Sequence, residues 1–301
     1  MKPKILVVGS SNTDMVTVSD RLPKPGETVV ADEFYIAQGG KGANQAVAAA
    51  RLGGEVTFVA KLGDDDFARQ AIAGYRKDKI KTDLLSFDPS APTGTALIHI
   101  DDSGENMIVT NMGANNKLSI EDVRESVWDL ESADVILSQL EIPVETVIFT
   151  AKKAREFGKP FILNPAPINP LPDELIGMCT YIIPNETEAA YFSKVKIKGD
   201  NSVKTAANYF LDKGAQNVII TLGSRGAYWQ SSGVSAFIEA PKVKAIDTVG
   251  AGDVFCGAFS VGIAKMGSVE EAVRFANQCA SLAVTRKGAQ SGIPYAHELM
   301  K

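Results

Sequence analysis

Near its N-terminus the chain reads Ile5-Leu6-Val7-Val8-Gly9-Ser10-Ser11-Asn12-Thr13-Asp14, an apolar run closed by glycine and followed by short polar side chains. A continuous apolar run of this kind is typical of a strand that is buried on both faces of a parallel sheet. The polar residues then lie at the carboxyl end of the strand, where α/β sheets bind their ligands. Asn12 and Asp14 are therefore candidate binding residues, although Asn and Asp are also common turn formers.

Similar apolar runs recur along the chain and alternate with helical patterns. The runs are Thr57–Ala60, Val135–Leu137, Phe161–Leu163, Tyr181–Ile183 and Val218–Thr221. Helical periodicity covers Ala43–Leu52, Asp66–Lys77, Ile120–Trp128, Val144–Glu156, Glu186–Phe192, Val203–Lys213, Asp253–Met266 and Val269–Arg286. This alternation predicts an α/β fold with a mostly parallel central sheet and helices on both faces, built by residues 1–301 as a single domain.

Two segments interrupt the alternation, at about residues 14–38 and 94–111. The first contains the short stretches Met15–Val18, Thr28–Val30 and Phe34–Ala37. In the second, Thr95–Ile100 and Met107–Thr110 flank a polar, glycine-containing turn, which predicts a β-hairpin. Together the segments predict a small β-sheet, which is either a lid that excludes water from a site or an ordinary surface feature.

Composition and charge exclude several classes of function. The 301-residue chain carries a net charge of −5 without a block of like charges, which argues against a nucleic-acid or acidic-membrane partner. Its three cysteines are far apart, so no disulfide framework or CxxC metal site is expected, and a reducing compartment is favoured. No apolar run approaches the ~20 residues of a membrane-spanning helix, so we expect a cytoplasmic protein.

The stretch Asp247-Thr248-Val249-Gly250-Ala251-Gly252-Asp253 precedes an apolar helical run. Glycines let backbone N–H groups approach a ligand closely, and the start of a helix attracts anions. A carboxylate at Asp253 would repel that anion unless it reacts, for example by taking a proton from an attacking hydroxyl. The stretch suggests phosphoryl transfer to an alcohol, with Asp253 as general base and the amides of Gly250, Ala251 and Gly252 stabilising the phosphate charge.

Two other classes of protein fit the chain less well. A nicotinamide-dependent dehydrogenase would need a GxGxxG motif after the first strand, and only Gly9 is present there. A sugar-binding protein without turnover would not need a base at Asp253.

A second glycine-rich segment, Gly39-Gly40-Lys41-Gly42-Ala43-Asn44-Gln45, opens another predicted helix. It lacks the spacing of a Walker A loop. Lys41 and Asn44 are three residues apart and share a helix face, which offers an ammonium and an amide to polyol hydroxyls. A glycine-rich helix cap is the alternative interpretation. Glu141, at the end of the run from Val135, is either a pocket residue or a solvated strand end.

Two further loops follow predicted strands. Asn185 and Glu188 stand at a helix start, where they either cap the helix or order magnesium-bound water near phosphates. The loop Thr221–Gly226 suits either contact with nucleotide phosphates or a tight turn.

These motifs, in this order, resemble the ribokinase-like (PfkB) family of sugar and nucleoside kinases. The similarity runs nearly from end to end, through Gly39–Ala46, Asn164–Pro167, Pro184–Glu188, Thr221–Gly226, Asp247–Asp253 and Thr285–Gln290. The resemblance implies a nine-stranded core and a β-sheet lid that also forms a homodimer interface. It implies Mg²⁺-dependent transfer of the ATP γ-phosphate to the 5-hydroxyl of D-ribose, with another small sugar or a nucleoside as the alternative acceptor.

The resemblance also implies a role for individual positions. Sugar binding would fall to Asn12, Asp14, Gly39, Gly40, Lys41, Asn44 and Glu141. ATP binding would fall to Asn185, Thr221, Gly223, Ser224, Gly226, Gly252 and Asn277, with Mg²⁺ held through water by Asn185 and Glu188. An activating potassium ion would be held, mostly by backbone carbonyls, at Asp247, Val249, Ala283, Arg286, Gly288 and Gly292.

The resemblance departs from the family at position 292, where a side-chain oxygen is expected and glycine is present. It also gives the predicted hairpin a purpose, since Ala96, Ile98 and Ile108 would form the apolar inner wall of the lid.

Overall fold

The computed structural model describes residues 1–299 of the chain. Its strands are β1 (Lys4–Val8), β2 (Asn12–Ser19), β3 (Glu33–Gly39), β4 (Glu55–Gly63), β5 (Leu85–Asp88), β6 (Gly94–Asp101), β7 (Asn106–Asn111), β8 (Val135–Ser138), β9 (Phe161–Leu163), β10 (Tyr181–Ile182), β11 (Asn217–Thr221), β12 (Ala227–Ser231) and β13 (Val234–Ile238).

The helices lie mainly between the strands of the larger sheet and in the last sixth of the chain. They are α1 (Lys41–Arg51), α2 (Asp66–Lys77), α3 (Ile120–Glu125), α4 (Val127–Ser132), α5 (Val144–Glu156), α6 (Asp173–Ile176), α7 (Glu186–Ser193), α8 (Asp200–Asp212), α9 (Ala251–Met266), α10 (Val269–Ala283) and α11 (Ala289–Gly292). Within residues 1–299, no helix has the length and apolar character to cross a membrane.

The large sheet has nine strands in the order β13-β12-β11-β10-β9-β8-β1-β4-β5. Its pairs are parallel except at one edge, where β12 is antiparallel to both of its neighbours. Successive residues of β1 point to opposite faces, so Ile5 and Val7 enter one hydrophobic core while Leu6 and Val8 enter the other. This confirms the predicted fold class, a mostly parallel sheet with a core on each face.

A second, four-stranded sheet has the order β3-β2-β6-β7. Its central pair, β2 with β6, is parallel, and the two outer pairs are antiparallel. Asn12 pairs with both Gly39 and Gly94, so all three residues lie at the base where this small sheet leaves the main body. The predicted small β-sheet is confirmed, but Thr28–Val30 is not part of any strand.

Some element boundaries differ from the prediction. The helix predicted over Ile120–Trp128 breaks at Ser126, because the backbone N–H and the hydroxyl of Ser126 both donate to the Val123 carbonyl. The last long helix ends at Ala283 rather than Arg286. Beyond that end, the Val284 carbonyl accepts from the amides of Ile246 and Asp247 and so ties the preceding loop to the helix.

Candidate active site

Two cavities meet at the first turn of α9. One, of about 330 Å³, is lined largely by apolar residues and by the loop after β11, and we call it the apolar cavity. The other, of about 150 Å³, contains Lys41, Asn164, Glu188 and Asp253, and we call it the polar cavity. Thr221, Thr248, Ala251 and Gly252 line both. The start of α9 therefore separates two different chemical environments.

Asp253 lies on the first turn of α9 and is 6% exposed. Its Oδ2 accepts a 3.0 Å hydrogen bond from Asn44 Nδ2, and its Oδ1 accepts a 3.0 Å bond from Gln45 Nε2. Two amides of α1 thus hold the carboxylate, one on each oxygen. Because amide donors fix a carboxylate without neutralising it, Asp253 is oriented and still able to accept a proton.

The glycine turn before Asp253 presents backbone amides to the junction of the cavities. Gly250 has φ +75°, a left-handed conformation that favours glycine. Ala251 N–H donates to the Thr248 carbonyl at 3.2 Å, so this amide is already used. The amides of Gly252 and Asp253 donate to no backbone carbonyl within residues 1–299, so they and the helix dipole could attract an anion.

Lys41 begins α1 and places its ammonium among carboxylates. Burial by itself lowers the pKa of Lys41, but Asp253, Glu141 and Glu188 together raise it above its ordinary value. The ammonium therefore stays charged beside Asp253. Since Lys41 also lines the polar cavity, its charge is available to an anionic group bound there.

Glu141 has a structural contact as well as a predicted binding role. Its Oε2 accepts from the backbone N–H of Lys41 at 2.9 Å and from the Ser10 hydroxyl at 2.6 Å. An acidic group at the N-terminus of a helix stabilises that helix. Glu141 thus anchors the start of α1, and neither a solvated strand end nor a free pocket residue describes it fully.

Asp14 lies on β2 at the base of the small sheet. Burial, with added repulsion from Glu141 and Asp253, raises the pKa of Asp14 to about 6. Its carboxylate packs against the Cα of Gly39, where any side chain would overlap it. Gly40, at φ +88°, brings its own backbone against that of Asn12. The two glycines therefore let the end of β3 and the start of α1 lie close to Asn12 and Asp14.

The side chain of Asn12 is oriented by a residue that the sequence did not reveal. The fully buried Asn115 donates from Nδ2 to Asn12 Oδ1 at 2.7 Å and accepts from the Ser11 amide at 2.8 Å. With its oxygen engaged, Asn12 presents its NH₂ group as a donor. Asn115 lies in a polar loop far along the chain, and no local pattern marks it.

Asn185 and Glu188 form a capping box at the start of α7. Asn185 Oδ1 accepts from the Glu188 amide, and both Glu188 oxygens accept from Asn185 at 2.9 Å. Burial raises the pKa of Glu188, although its hydrogen bonds with Asn185 and the charge of Lys41 oppose the rise. Both residues also line the polar cavity, so the capping role and a position next to a ligand coexist.

The apolar cavity brings together most of the predicted ATP-binding residues. Thr221, Gly223, Ser224, Gly226, Gly252 and Asn277 all line it, whereas Asn185 lines the polar cavity. Asn277 donates from Nδ2 to the Ile238 carbonyl at 2.9 Å, which fixes one wall of the cavity after β13. The apolar lining, which includes Phe255 and Val284, is typical of a slot for a flat, uncharged ring.

Comparison with known proteins agrees with this arrangement. Residues 2–296 match the model of the family described as "pfkB family carbohydrate kinase". The chain belongs to the pfkB family of carbohydrate kinases. This membership confirms the predicted enzyme class, an ATP-dependent sugar kinase.

Individual relatives of the family match over their full length. A ribokinase of Haemophilus influenzae is 40% identical, with 100% of this chain and 98% of the relative covered. A deoxyribokinase of Salmonella typhi is 38% identical, with 96% and 95% covered. The structure of Arabidopsis thaliana ribokinase complexed with ribose and ATP superposes with a TM-score of 0.93 at 32% identity, covering 100% of this chain and 98% of that one.

The positions for which the sequence predicted a cation site lie in the loop before α9, at and after the end of α10 and around α11. Asp247 accepts from the amides of Val249 at 2.9 Å and Gly288 at 2.8 Å, so it ties the two loops together. A Cβ built on Gly292 would lie 3.3 Å from the Ala283 carbonyl oxygen and 3.7 Å from that of Arg286. These carbonyls therefore point to the space that a longer side chain at position 292 would enter.

No direct metal cluster accompanies these features. Within residues 1–299, no group of three or more His, Cys, Asp or Glu side chains is arranged to hold a metal ion.

Proposed function

We propose that this protein transfers the γ-phosphate of ATP to the 5-hydroxyl of D-ribose and produces D-ribose 5-phosphate and ADP. The observation that carries the proposal is the position of Asp253, which two amides hold in the polar cavity, next in sequence to Gly252, a residue that lines both cavities. A base at that place lies between an acceptor hydroxyl and the phosphates of a nucleotide. The similarity to ribokinases along the whole chain supports ribose as the acceptor.

The sugar is proposed to lie against Asn12, Asp14, Gly39, Gly40, Lys41, Asn44 and Glu141. Carboxylates at Asp14 and Glu141 accept hydrogen bonds from sugar hydroxyls, and the NH₂ group of Asn12 donates one. Asn44 Oδ1 is buried and has no hydrogen-bond partner among residues 1–299, which suits a hydroxyl donor beside it. The set is small and polar, as a free pentose requires.

Asp253 then acts as the general base. It takes the proton of the sugar hydroxyl as that oxygen bonds to the γ-phosphorus, while the bond from phosphorus to the β-γ bridging oxygen breaks and ADP leaves. The free amides of Gly252 and Asp253 and the Lys41 ammonium stabilise the charge on the transferred group. Asp253 afterwards returns its proton to solvent.

Two ions are part of the proposal. Mg²⁺ would neutralise the phosphate charge of ATP, and Asn185 and Glu188 would hold it through water. A potassium ion would be held mostly by the backbone carbonyls of Val249, Ala283, Arg286 and Gly288, next to Asp247 and Gly292. Its positive charge behind the glycine turn would favour an anion on the turn's other side.

The small sheet is proposed to act as the lid of the sugar site and, as in the family resemblance, as a homodimer interface. Register places Asp14, Val16, Ala96, Ile98 and Ile108 on its inner face. Val16 and Ala96 are buried there, and Ile98 is half-buried. The outer face carries exposed apolar residues at Phe34, Ile36, Leu97, Met107 and Val109, which a second copy would cover.

We also propose, from the composition of the chain, that the protein is located in the cytoplasm.

One observation, the 38% identity to a deoxyribokinase, also favours a second acceptor, 2-deoxy-D-ribose. The test is a panel of D-ribose, 2-deoxy-D-ribose, D-fructose and adenosine with ATP and Mg²⁺, measured with potassium and with sodium. We expect D-ribose to have the highest kcat/KM and sodium to lower the rate. A higher kcat/KM for 2-deoxy-D-ribose would make that sugar the substrate, and no transfer to any acceptor would contradict the proposal.

The same assay tests the base. Asp253→Asn keeps the size of the side chain but removes its ability to take a proton. We expect kcat to fall by about 10²–10⁴-fold while ribose affinity, measured by calorimetry, changes little. Near-normal turnover in the folded variant would remove Asp253 from the mechanism.

A further inference from the structure

A chain of buried side-chain amides lies behind Asp253. Gln45 is fully buried, and its Nε2 donates to Asp253 Oδ1 at 3.0 Å and to Asn164 Oδ1 at 3.1 Å. Its own Oε1 accepts from Gln139 Nε2 at 2.6 Å. Both N–H donors of the Gln45 amide are therefore used by protein groups, and its oxygen also has a protein partner.

The direction of these hydrogen bonds is fixed by a backbone carbonyl. Asn164 Nδ2 donates to the Ile183 carbonyl at 2.9 Å, and a carbonyl oxygen only accepts. Asn164 must then turn its oxygen toward Gln45, so Gln45 must present its NH₂ group to Asn164. The second N–H of that group is the one that reaches Asp253. The orientation of the donor at Asp253 thus follows from the fold.

Close helix packing brings Gln45 to this position. Gly257 on α9 faces α1, and a Cβ there would lie 2.6 Å from both the Gln45 carbonyl oxygen and the Ala48 Cβ. Gly42 allows the start of α1 to lie equally close to the backbone after β1. Because both helices are held in place, the side chain of Gln45 is positioned to bond to Asp253, Asn164 and Gln139.

We propose that Gln45 is a positioning residue for Asp253: the chain from Ile183 through Asn164 to Gln45 holds Oδ1 and leaves Oδ2 to take the substrate proton. Oδ2 is the oxygen bonded to Asn44, which unlike Gln45 has an unpaired oxygen and faces the proposed sugar site. The inference rests on the proposed role of Asp253 as the base.

The other titratable groups near Asp253 are Asp14 on β2, Lys41 on α1, Glu188 on α7 and Cys256 on α9. None of them is bonded to Gln45. A change at Gln45 therefore alters the hydrogen bonding of Asp253 without altering these charges, which makes a pH measurement informative.

The test compares Gln45→Met, which keeps the volume but removes the donor, with Val47→Ala as a matched control. Val47 is equally buried on the same helix and does not contact Asp253. Turnover with ATP and D-ribose is measured from pH 5 to 9. In parallel, ¹³C-carboxyl NMR follows the titration of Asp253, assigned by its loss in Asp253→Asn.

For Gln45→Met we expect kcat to fall by about 10- to 100-fold, the effect of one lost hydrogen bond to a charged group. The KM for ribose stays within about threefold of wild type, and the acid limb of kcat and the NMR midpoint both move to higher pH. Val47→Ala is expected to lower the melting temperature without these changes. Should Gln45→Met fail to fold, Gln139→Met, which releases the Gln45 oxygen, is expected to change kcat in the same direction.

Unchanged kcat and an unchanged Asp253 midpoint in folded Gln45→Met would overturn the inference, as would a raised KM at constant kcat. The NMR titration needs no turnover. If the wild-type protein phosphorylates no sugar, the proposed function fails. The NMR midpoint would still decide whether Gln45 affects the protonation of Asp253.

Discussion

At the scale of single residues, Asp14 shows how the fold changes a side chain's chemistry. Its carboxylate is partly buried beside two other acids, and its pKa is raised to about 6. We expect D-ribose to bind more weakly as the pH falls through 6, because protonation removes an acceptor for a sugar hydroxyl. Calorimetric Kd values between pH 5 and 8 test this. Asp14→Asn should bind weakly at every pH, and a wild-type Kd that does not vary with pH would contradict the assignment.

Replacing Asp14 with asparagine should also raise the free energy of unfolding. A carboxyl whose pKa is higher in the folded than in the unfolded protein destabilises the fold once it ionises. Above pH 6, Asp14→Asn should therefore raise the free energy of unfolding by on the order of 1–3 kcal/mol. The gain should be small at pH 4, which is close to the pKa of Asp in the unfolded protein, and should vanish well below it, where the group is protonated in both states. Urea unfolding at pH 7.5 and pH 4 measures the difference, and a loss of stability at pH 7.5 would be contrary to expectation.

At the scale of elements, the contact between α1 and α9 decides the geometry of the site. A methyl group on Gly257 would overlap Ala48 and the Gln45 carbonyl, so Gly257→Ala should push the helices apart. We expect it to lower the free energy of unfolding by about 1–3 kcal/mol and to reduce kcat. Gly74→Ala is the matched control, since it lies inside α2 with nothing near the new methyl group.

For Gly74→Ala the expected change is a gain of about 0.5–1 kcal/mol, because alanine costs less backbone entropy in a helix. Thermal and urea unfolding of both variants measure the contrast. Equal effects of the two substitutions would mean that helix propensity, not the α1–α9 contact, governs position 257.

The sequence predicted elements better than it predicted contacts. Buried parallel strands such as β1 and β8 were predictable because both of their faces are apolar. The strands β5, β12 and β13 were missed, since they lie toward the sheet edges and mix polar with apolar residues. The helix break at Ser126 depended on a side-chain hydrogen bond that periodicity does not reveal.

The candidate site was predicted in the same uneven way. Asp253 and Lys41 stand in glycine-rich segments whose composition marks them. Gln45 was overlooked because its partner Asp253 is 208 residues away in sequence, and only the packing of α1 on α9 joins them. The amide of Ala251 was predicted to bind phosphate, yet the turn already uses it in a bond to Thr248.

At the scale of the whole molecule, the outer face of the small sheet predicts association. Leu97 and Val109 are directly paired across β6 and β7 and are 54% and 66% exposed. We expect light scattering to give twice the 32.0 kDa chain mass, and Leu97→Glu to give a monomer because a charge is costly in a buried interface. Trp128→Lys, an exposed aromatic on α4 in the main body, should leave the mass unchanged. A wild-type monomer at micromolar concentration would exclude the dimer.

The small sheet joins the main body where Asn12 pairs with Gly39 and Gly94, and this junction would be the pivot of the proposed lid. A strand of eight residues is ~26 Å long, so a rotation of about 20° at the pivot carries the far end through ~9 Å. Residues at the pivot hardly move. In the proposed lid, recognition of the sugar would thereby be separated from the movement that covers it. Cross-links between the far turn at residues 102–105 and the main body should consequently halt turnover while the sugar still binds.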